Sequence, residues 1–355
     1  MPAVAFVDVN LIPVFLCRRN LMRRAGLLTA IVVAGLGVAG VAAQQRGGGR
    51  GAGPRIPPTG VIEKIKTNLY KIPGAGSNTT VFLTAEGVVL VDTKLANNGE
   101  AILTQVKSVT DKPVSMIINT HTHPDHNGSN DYFKADRPMI QVVTHENTKK
   151  WVAANPRSNP AMTPDTTFND KMTLGKGKDR IDLYYFGPGH TNGDAFVVFP
   201  AVRAMCIGDL MAWNMAPLVD PATGGSVIAL PDTLEKAVKG IRNVDLVIEG
   251  HGNVNSWQGF RAYTEFNRAL LTAAKAALSR GETPEQALAE LEKNSKLAVF
   301  LKDDLLKDLE YGGTPKSRAL INLNVAFQEL KGEPVTTNFG PARGAAPPPA
   351  LGPGK

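Results

Sequence analysis

Three histidines and an aspartate fall within six residues of this 355-residue chain, in the string His121-Thr122-His123-Pro124-Asp125-His126. The string follows the apolar run 114–118, which places several metal-ligand side chains on one loop at the end of a strand. A lone histidine is more often structural than a ligand, but this density has no ordinary structural explanation. Two more histidines stand in similar surroundings. His190 lies in Gly187-Pro188-Gly189-His190-Thr191-Asn192-Gly193-Asp194, and His251 lies in Glu249-Gly250-His251-Gly252. Asp209 completes the series in Ile207-Gly208-Asp209. The neighbouring glycines let the backbone turn sharply and aim each side chain inward. Five imidazoles and two carboxylates exceed what one tetrahedral site can use. They are the inventory of a site for two borderline metal ions, with room for a water.

The elements that must position these residues read as alternating strands and helices. Strand-like stretches at 69–71, 79–83 and 88–92 are punctuated by Gly74, Gly76 and Gly87, and Ala101, Ile102, Val106 and Val109 follow at helical spacing before the strand 114–118. The order recurs with strands at 181–186, 195–199 and 203–207, a helix at 234–242 and a short buried strand at 246–249. Such an order predicts a layered α/β domain built from two β-then-α halves stacked face to face. From Trp257 onward the pattern is helical, at 259–280, 284–293 and 316–331. The middle helix has Thr283 as N-cap, Pro284 in the first helical position and Gln286 placed to close a capping box.

These motifs resemble the metallo-β-lactamase superfamily, whose marker H-x-H-x-D-H is followed by a separated His, an Asp and a final His. The chain supplies HTHPDH, GPGHTNGD, IGD and EGHG in that order, and Val88-Val89-Leu90-Val91-Asp92-Thr93 resembles the family's early strand ending in Asp. The resemblance runs from the strand at 69–71 through His251. It implies a four-layer αββα sandwich, spanning 59–256, with a C-terminal helical extension over 257–332. It also implies that His121, His123 and His190 hold one metal and Asp125, His126 and His251 the other, with Asp209 bridging. Two zinc ions per chain are the implied cofactor, with iron as the alternative metal. In that scheme a metal-bridging hydroxide attacks the substrate carbonyl, and Asp125 both ligates and relays a proton.

Departures from particular branches narrow the expectation. Asp209 stands where some zinc β-lactamases use a Cys ligand, and it points toward ester, lactone or thioester hydrolases, with lactams retained. His123 argues against the iron flavoprotein members, which carry Glu in its place. A mononuclear iron, sulfur-oxidising enzyme resembling persulfide dioxygenases shares the same motifs and is the alternative function. Asp92 and Asp194 are expected to accept the outer N–H of ligating histidines. Met211, Trp213 and Asn214, close after Asp209, are expected to line the substrate pocket. His145 has no place in the ligand scheme, and Cys206, in the apolar run 204–207, reads as a buried strand residue and not a nucleophile.

The ends of the chain read differently from its body. Arg18, Arg19, Arg23 and Arg24 precede an uncharged run from Gly26 to Ala43 that ends in small residues, the pattern of a signal peptide over 1–43 with cleavage near Gln44. The Arg18-Arg19 pair resembles a twin-arginine signal. The expected location is therefore periplasmic or secreted, with no stable membrane association after cleavage. Residues 44–58, with five Gly and three Pro, and the Pro/Ala-rich tail 333–355 cannot bury enough apolar surface to order themselves. The formal charge of +7 resides in these ends, because 56–340 taken alone is close to neutral. A near-neutral body argues against a nucleic-acid partner and for a small-molecule substrate. The sequence leaves the oligomeric state open.

Overall fold

Strands that are apolar on both faces must be covered on both faces, and this chain stacks two such sheets between helices. The computed structural model describes residues 58–154, 163–302 and 313–335. The signal and linker expectations and most of the tail lie outside them. The first sheet holds β1 (Glu63–Lys66), β2 (Leu69–Ile72), β3 (Thr79–Leu83), β4 (Val88–Val91), β5 (Val114–Ile118), β6 (Gln141–His145) and β7 (Thr166–Phe168), side by side in chain order. Its first four strands pair antiparallel and β4 to β7 pair parallel. The second sheet comprises β8 (Lys171–Leu174), β9 (Ile181–Tyr184), β10 (Phe196–Phe199), β11 (Ala204–Cys206), β12 (Leu246–Ile248) and β13 (Val254–Ser256), again in order, with β11 and β12 parallel. The helices are α1 (Gly99–Lys107), α2 (Pro124–Asn127), α3 (Asn130–Asp136), α4 (Glu146–Ala154), α5 (Leu230–Gly240), α6 (Trp257–Ser279), α7 (Pro284–Glu292) and α8 (Pro315–Lys331).

The two-residue period of each strand assigns its side chains to layers. Val89 and Val91 of β4 meet Val197 and Phe199 of β10 in the core between the sheets, with Leu183, Cys206 and Ile248. Val88 and Leu90 face outward onto Ile102 and Val106 of α1 and Phe133 of α3. Phe196, Val198, Met205 and Val247 face the other way, onto α5, α6 and α8 through Leu234, Phe260, Phe266 and Leu323. Each fully buried Val or Leu contributes about 1.5–3 kcal/mol relative to exposure. The result is the αββα sandwich that the motifs implied. The capping box at Thr283 forms, Gln286 N donating to Thr283 Oγ1 and Thr283 N to Gln286 Oε1.

Element boundaries agree to within a few residues where apolar runs are unbroken, and α6 begins at Trp257 instead of 259. The strands β1, β6, β7, β8 and β13 and the short helices α2, α3 and α4 were not anticipated. Among the described residues no helix is long and apolar enough to cross a membrane.

Candidate metal centre

The carboxyl ends of β4, β5, β11 and β12 open onto one crevice, and the chemistry-bearing loops all leave the sheets there. After β5 the chain runs through Asn119, Thr120 and His121 before Pro124 starts α2, with His123 as its N-cap residue. Asp92, at the end of β4, accepts hydrogen bonds from Thr120 N at 2.8 Å, from Thr120 Oγ1 at 2.7 Å and from His126 Nδ1 at 2.7 Å. Asn119 Nδ2 donates to the His126 carbonyl at 3.0 Å, and Asn130 Nδ2 donates to Asn119 Oδ1 at 2.7 Å. The loop is thereby tied to two strands and a helix before any metal binds.

Asp209 and His251 come from the second sheet. Gly208, with φ of 52°, turns the chain after β11 so that Asp209 enters the crevice. A Cβ placed on Gly250 would collide with Asp209 Oδ1, so the glycine before His251 makes room for that carboxylate. The 73–78 loop closes another side. Lys94, fully buried, donates from Nζ to the carbonyls of Ile72 at 2.7 Å, Gly74 at 2.8 Å and Ser77 at 2.5 Å, while Asn78 N donates to Gly250 O at 2.7 Å.

Seven side chains converge as two groups, His121, His123, His190 and Asp209, and Asp125, His126 and His251. His123 Nδ1 is 3.1 Å from His121 Nε2 and 2.9 Å from His190 Nε2. His126 Nε2 is 3.2 Å from Asp209 Oδ1 and 3.4 Å from His251 Nε2. His251 Nε2 is 3.2 Å from both Asp125 Oδ2 and Asp209 Oδ2, and His190 Nε2 is 3.8 Å from Asp209 Oδ2. Asp209 thus reaches both groups. Its Oδ1 is buried with no well-aligned hydrogen-bond donor among the described residues.

The outer partners of the rings fix which nitrogens carry protons. His190 Nδ1 meets the Leu218 carbonyl oxygen, His123 Nε2 lies 2.9 Å from Asp220 Oδ2, and His126 Nδ1 faces Asp92; each acceptor requires an N–H. Thr120 Oγ1 gives its own proton to Asp92 and accepts from His121 Nδ1 at 3.0 Å. In their neutral form these four rings turn lone pairs inward, packed against one another and against two carboxylates. Only positive charge at the centre makes that arrangement favourable.

Without a metal, protons take its place. Burial alone would lower the pKa of His251, yet the Asp209 and Asp125 carboxylates raise it to about 9, and burial at His126 is likewise overcome by Asp209, Asp92 and Asp125. His121 and His190 stay neutral, lowered by burial and by neighbouring histidines, His190 to about 4. Burial would raise Asp125 and Asp209, but His126 and His251 hold both carboxylates below their ordinary range. A nitrogen- and oxygen-rich donor set of this kind fits zinc or another borderline divalent ion.

The remaining expected site residues fall in several places. Trp213 is half-buried and stacks on His251 with ring centroids 4.4 Å apart, and Asn214 is half-buried beside it in the chain. Met211 does not line the crevice: it is fully buried in the core shared with α5 and α6, its apolar side chain drawn under the sheet. Asp194 touches no histidine. It accepts from Thr191 N at 2.9 Å and Thr191 Oγ1 at 2.6 Å, closing the turn that carries His190. His145 lies apart, stacked on Tyr185 at 3.9 Å. Sequence reasoning missed Asp220, whose Asp-Pro pair reads only as the opening of a turn, and the buried Glu249, which accepts from Asn214 N at 3.1 Å.

Comparison with known proteins agrees with this geometry. The family described as the metallo-beta-lactamase superfamily matches residues 72–251. The chain is 28% identical over 181 residues to a metallo-beta-lactamase type 2 of Bacillus sp. (strain 170), covering 50% of this chain and 67% of that protein. Among solved structures, a metallo-beta-lactamase from Pontibacter korlensis superposes with a TM-score of 0.52 at 23% identity, over 60% of this chain and 99% of that one. A stereoselective inverting sec-alkylsulfatase from Pseudomonas sp. superposes with a TM-score of 0.59 at 15% identity, over 76% of this chain and 50% of that one. The chain belongs to the metallo-β-lactamase superfamily. With its grouped histidines and aspartates, it is a metal-dependent hydrolase.

Proposed function

We propose that this chain is an exported, dinuclear zinc hydrolase that cleaves an ester, lactone, thioester or lactam. The observation that carries the reading is the convergence of imidazole nitrogens and two carboxylates in two adjoining groups, which asks for more than one positive charge. His121, His123 and His190 would hold one ion, Asp125, His126 and His251 the other, with Asp209 between them. Bound there, two such ions supply Lewis acidity and a water acidified from a pKa of about 15.7 to roughly 7.

The chain's own residues supply the rest. Asp92, Asp220, Thr120 and the Leu218 carbonyl keep four rings in the tautomer that points a lone pair inward. Asp125 keeps 17% of its side chain exposed on the open edge of the site, where its carboxylate can take up the proton of the attacking water and return it to the leaving group. Trp213, stacked on His251, and its neighbour Asn214 would meet the substrate. The Arg cluster at 18–24 and the apolar run to Ala43 support export.

The test is metal analysis of the exported protein purified without added metal, followed by a chromogenic lactam, a lactone, a thioester and an aryl ester assayed with and without chelator. Two zinc per chain and chelator-sensitive turnover of at least one substrate are expected. A single iron with oxygen-dependent thiol oxidation, and no turnover of the four, would overturn the reading.

A further inference from the structure

Three of the five site histidines take their outer contact from one stretch of chain, the residues 213–220 that follow Asp209. Trp213 stacks on His251 with the ring planes 24° apart, the Leu218 carbonyl meets His190 Nδ1, and Asp220 faces His123 Nε2. The stretch has little regular structure: a short bridge pairs Ala212 with Met215, and one 3-10 turn follows at Pro221–Thr223. Trp213 is held at φ of 54°, a conformation that bulky side chains avoid unless their surroundings impose it. Where these three contacts lie is therefore decided by what the stretch packs on.

Much of that support is α8. The Arg318 guanidinium carbon lies 4.6 Å from the centre of the Trp213 ring. Asn322 Nδ2 donates to the Pro217 carbonyl at 2.8 Å. Glu329 accepts from Ser226 Oγ at 2.7 Å, Val227 N at 3.0 Å and Ile228 N at 3.1 Å, just ahead of α5. Positions 318, 322 and 329 are four and seven residues apart, so one helix face carries all three contacts. Arg318 and Asn322 are each only 1% exposed, and a helix rarely buries an arginine without use for it. All three residues lie beyond the 72–251 family match, and no part of that match assigns them a role.

We propose that α8 is a working part of the metal centre: Arg318, Asn322 and Glu329 are positioning residues that hold 213–228 and through it set the orientation of His251, His190 and His123. The proposal rests on the reading of this crevice as a metal site. Each contact acts one step beyond the groups that touch the rings. Losing one should weaken metal binding by roughly tenfold, at the low end of the effect of removing a direct partner of a ligand.

The test uses the full chain, loaded with cobalt(II) for its ligand-field spectrum and titrated with zinc against a chromophoric chelator. The variants are Arg318→Met and Glu329→Gln, with Leu323→Ala as a control that loosens the α8 core without removing any of the three contacts. Arg318→Met and Glu329→Gln are expected to weaken zinc binding and shift the cobalt bands, while Leu323→Ala lowers the melting temperature and leaves the bands in place. Should Arg318→Met fail to fold, Glu329→Gln, on the half-buried end of the helix, carries the same readout. Wild-type affinity and spectrum in the contact variants would overturn the proposal and leave the metal-site reading standing. Equal changes in Leu323→Ala would also overturn it, by reducing the effect to general loosening. A wild-type chain that takes up neither cobalt nor zinc would overturn both.

Discussion

Asp92 Oδ2 lies 2.7 Å from His126 Nδ1, with both side chains shut off from solvent, 1% and 0% exposed. The same carboxylate also takes both hydrogen bonds of Thr120, so it orients one ring directly and a second, His121, through the threonine. Asp92→Asn should break this arrangement, because an amide cannot accept on both ends and one donor must face another. We expect zinc affinity to fall about 10–100-fold, the usual cost of losing such a partner. Chelator competition measures it. Unchanged affinity would mean that His126 needs no outer acceptor.

Asp209 reaches both groups of donors, with oxygens 3.2 Å from His126 Nε2 and His251 Nε2 of one and 3.8 Å from His190 Nε2 of the other. Asp209→Ala should therefore lower occupancy at both positions, whereas His145→Ala, remote from the cluster, should leave metal content unchanged. Elemental analysis after dialysis against metal-free buffer decides the point. Loss of a metal equivalent on removing His145 would show that the donor set has been drawn wrongly.

The clustering of these side chains was legible in the sequence because four of the seven stand in one six-residue string and the other three, His190, Asp209 and His251, each directly follow a glycine. Strands such as β4 and β10 were legible for a related reason: both their faces are buried, so every residue is apolar. What escaped was the support. Asp220 meets His123 across 97 positions of chain, and nothing local distinguishes it from a turn aspartate. Arg318 carries no local signal of burial, since charge on a helix is normally left in water. Met211 was misplaced because proximity to Asp209 in sequence says nothing about which face of the sheet a side chain takes, and an apolar one goes to the core. β8, with its alternating polar residues, carries only a weak apolar run.

His145 gives a pH prediction outside the metal centre. It is buried between Tyr185 and Phe168, and its Nδ1 accepts from Asn147 N at 3.2 Å, an environment for the neutral ring. Burial lowers its pKa from 6.5 to about 4. The folded state therefore favours the deprotonated form, and this contribution is complete above pH 6.5 and is lost as pH falls toward 4. Between pH 7 and 4.5 the metal-free wild type should lose on the order of 2 kcal/mol more stability than His145→Phe, allowing for partial solvent screening. Urea unfolding at the two pH values measures the difference. Parallel losses in both proteins would remove His145 as the acid-sensitive group.

The last prediction separates chemistry at the metal centre from chemistry at a side-chain nucleophile. Cys206 sits between the two sheets, and burial pushes its thiol up to about 12, far from the thiolate that attack requires. The sequence holds no G-x-S-x-G string to supply a serine in its place. Cys206→Ala should thus cost roughly 1 kcal/mol of stability and leave kcat/KM within about twofold of wild type. Asp125 is the opposite case. Its carboxylate is a metal-group member at the open edge, held ionised by His126 and His251 against the cost of burial. Asp125→Asn nearly preserves shape but removes the proton acceptor and weakens the ligand, so kcat should fall by about 10²–10⁴. The loss must be measured at saturating zinc, with metal content confirmed, so that a missing ion is not mistaken for a missing base. Because the proton acceptor is gone, the variant's remaining activity should rise with added small amine or carboxylate buffers while the wild type's does not. Full activity in Asp125→Asn, or loss of activity in a folded, metal-replete Cys206→Ala, would place the reacting group elsewhere.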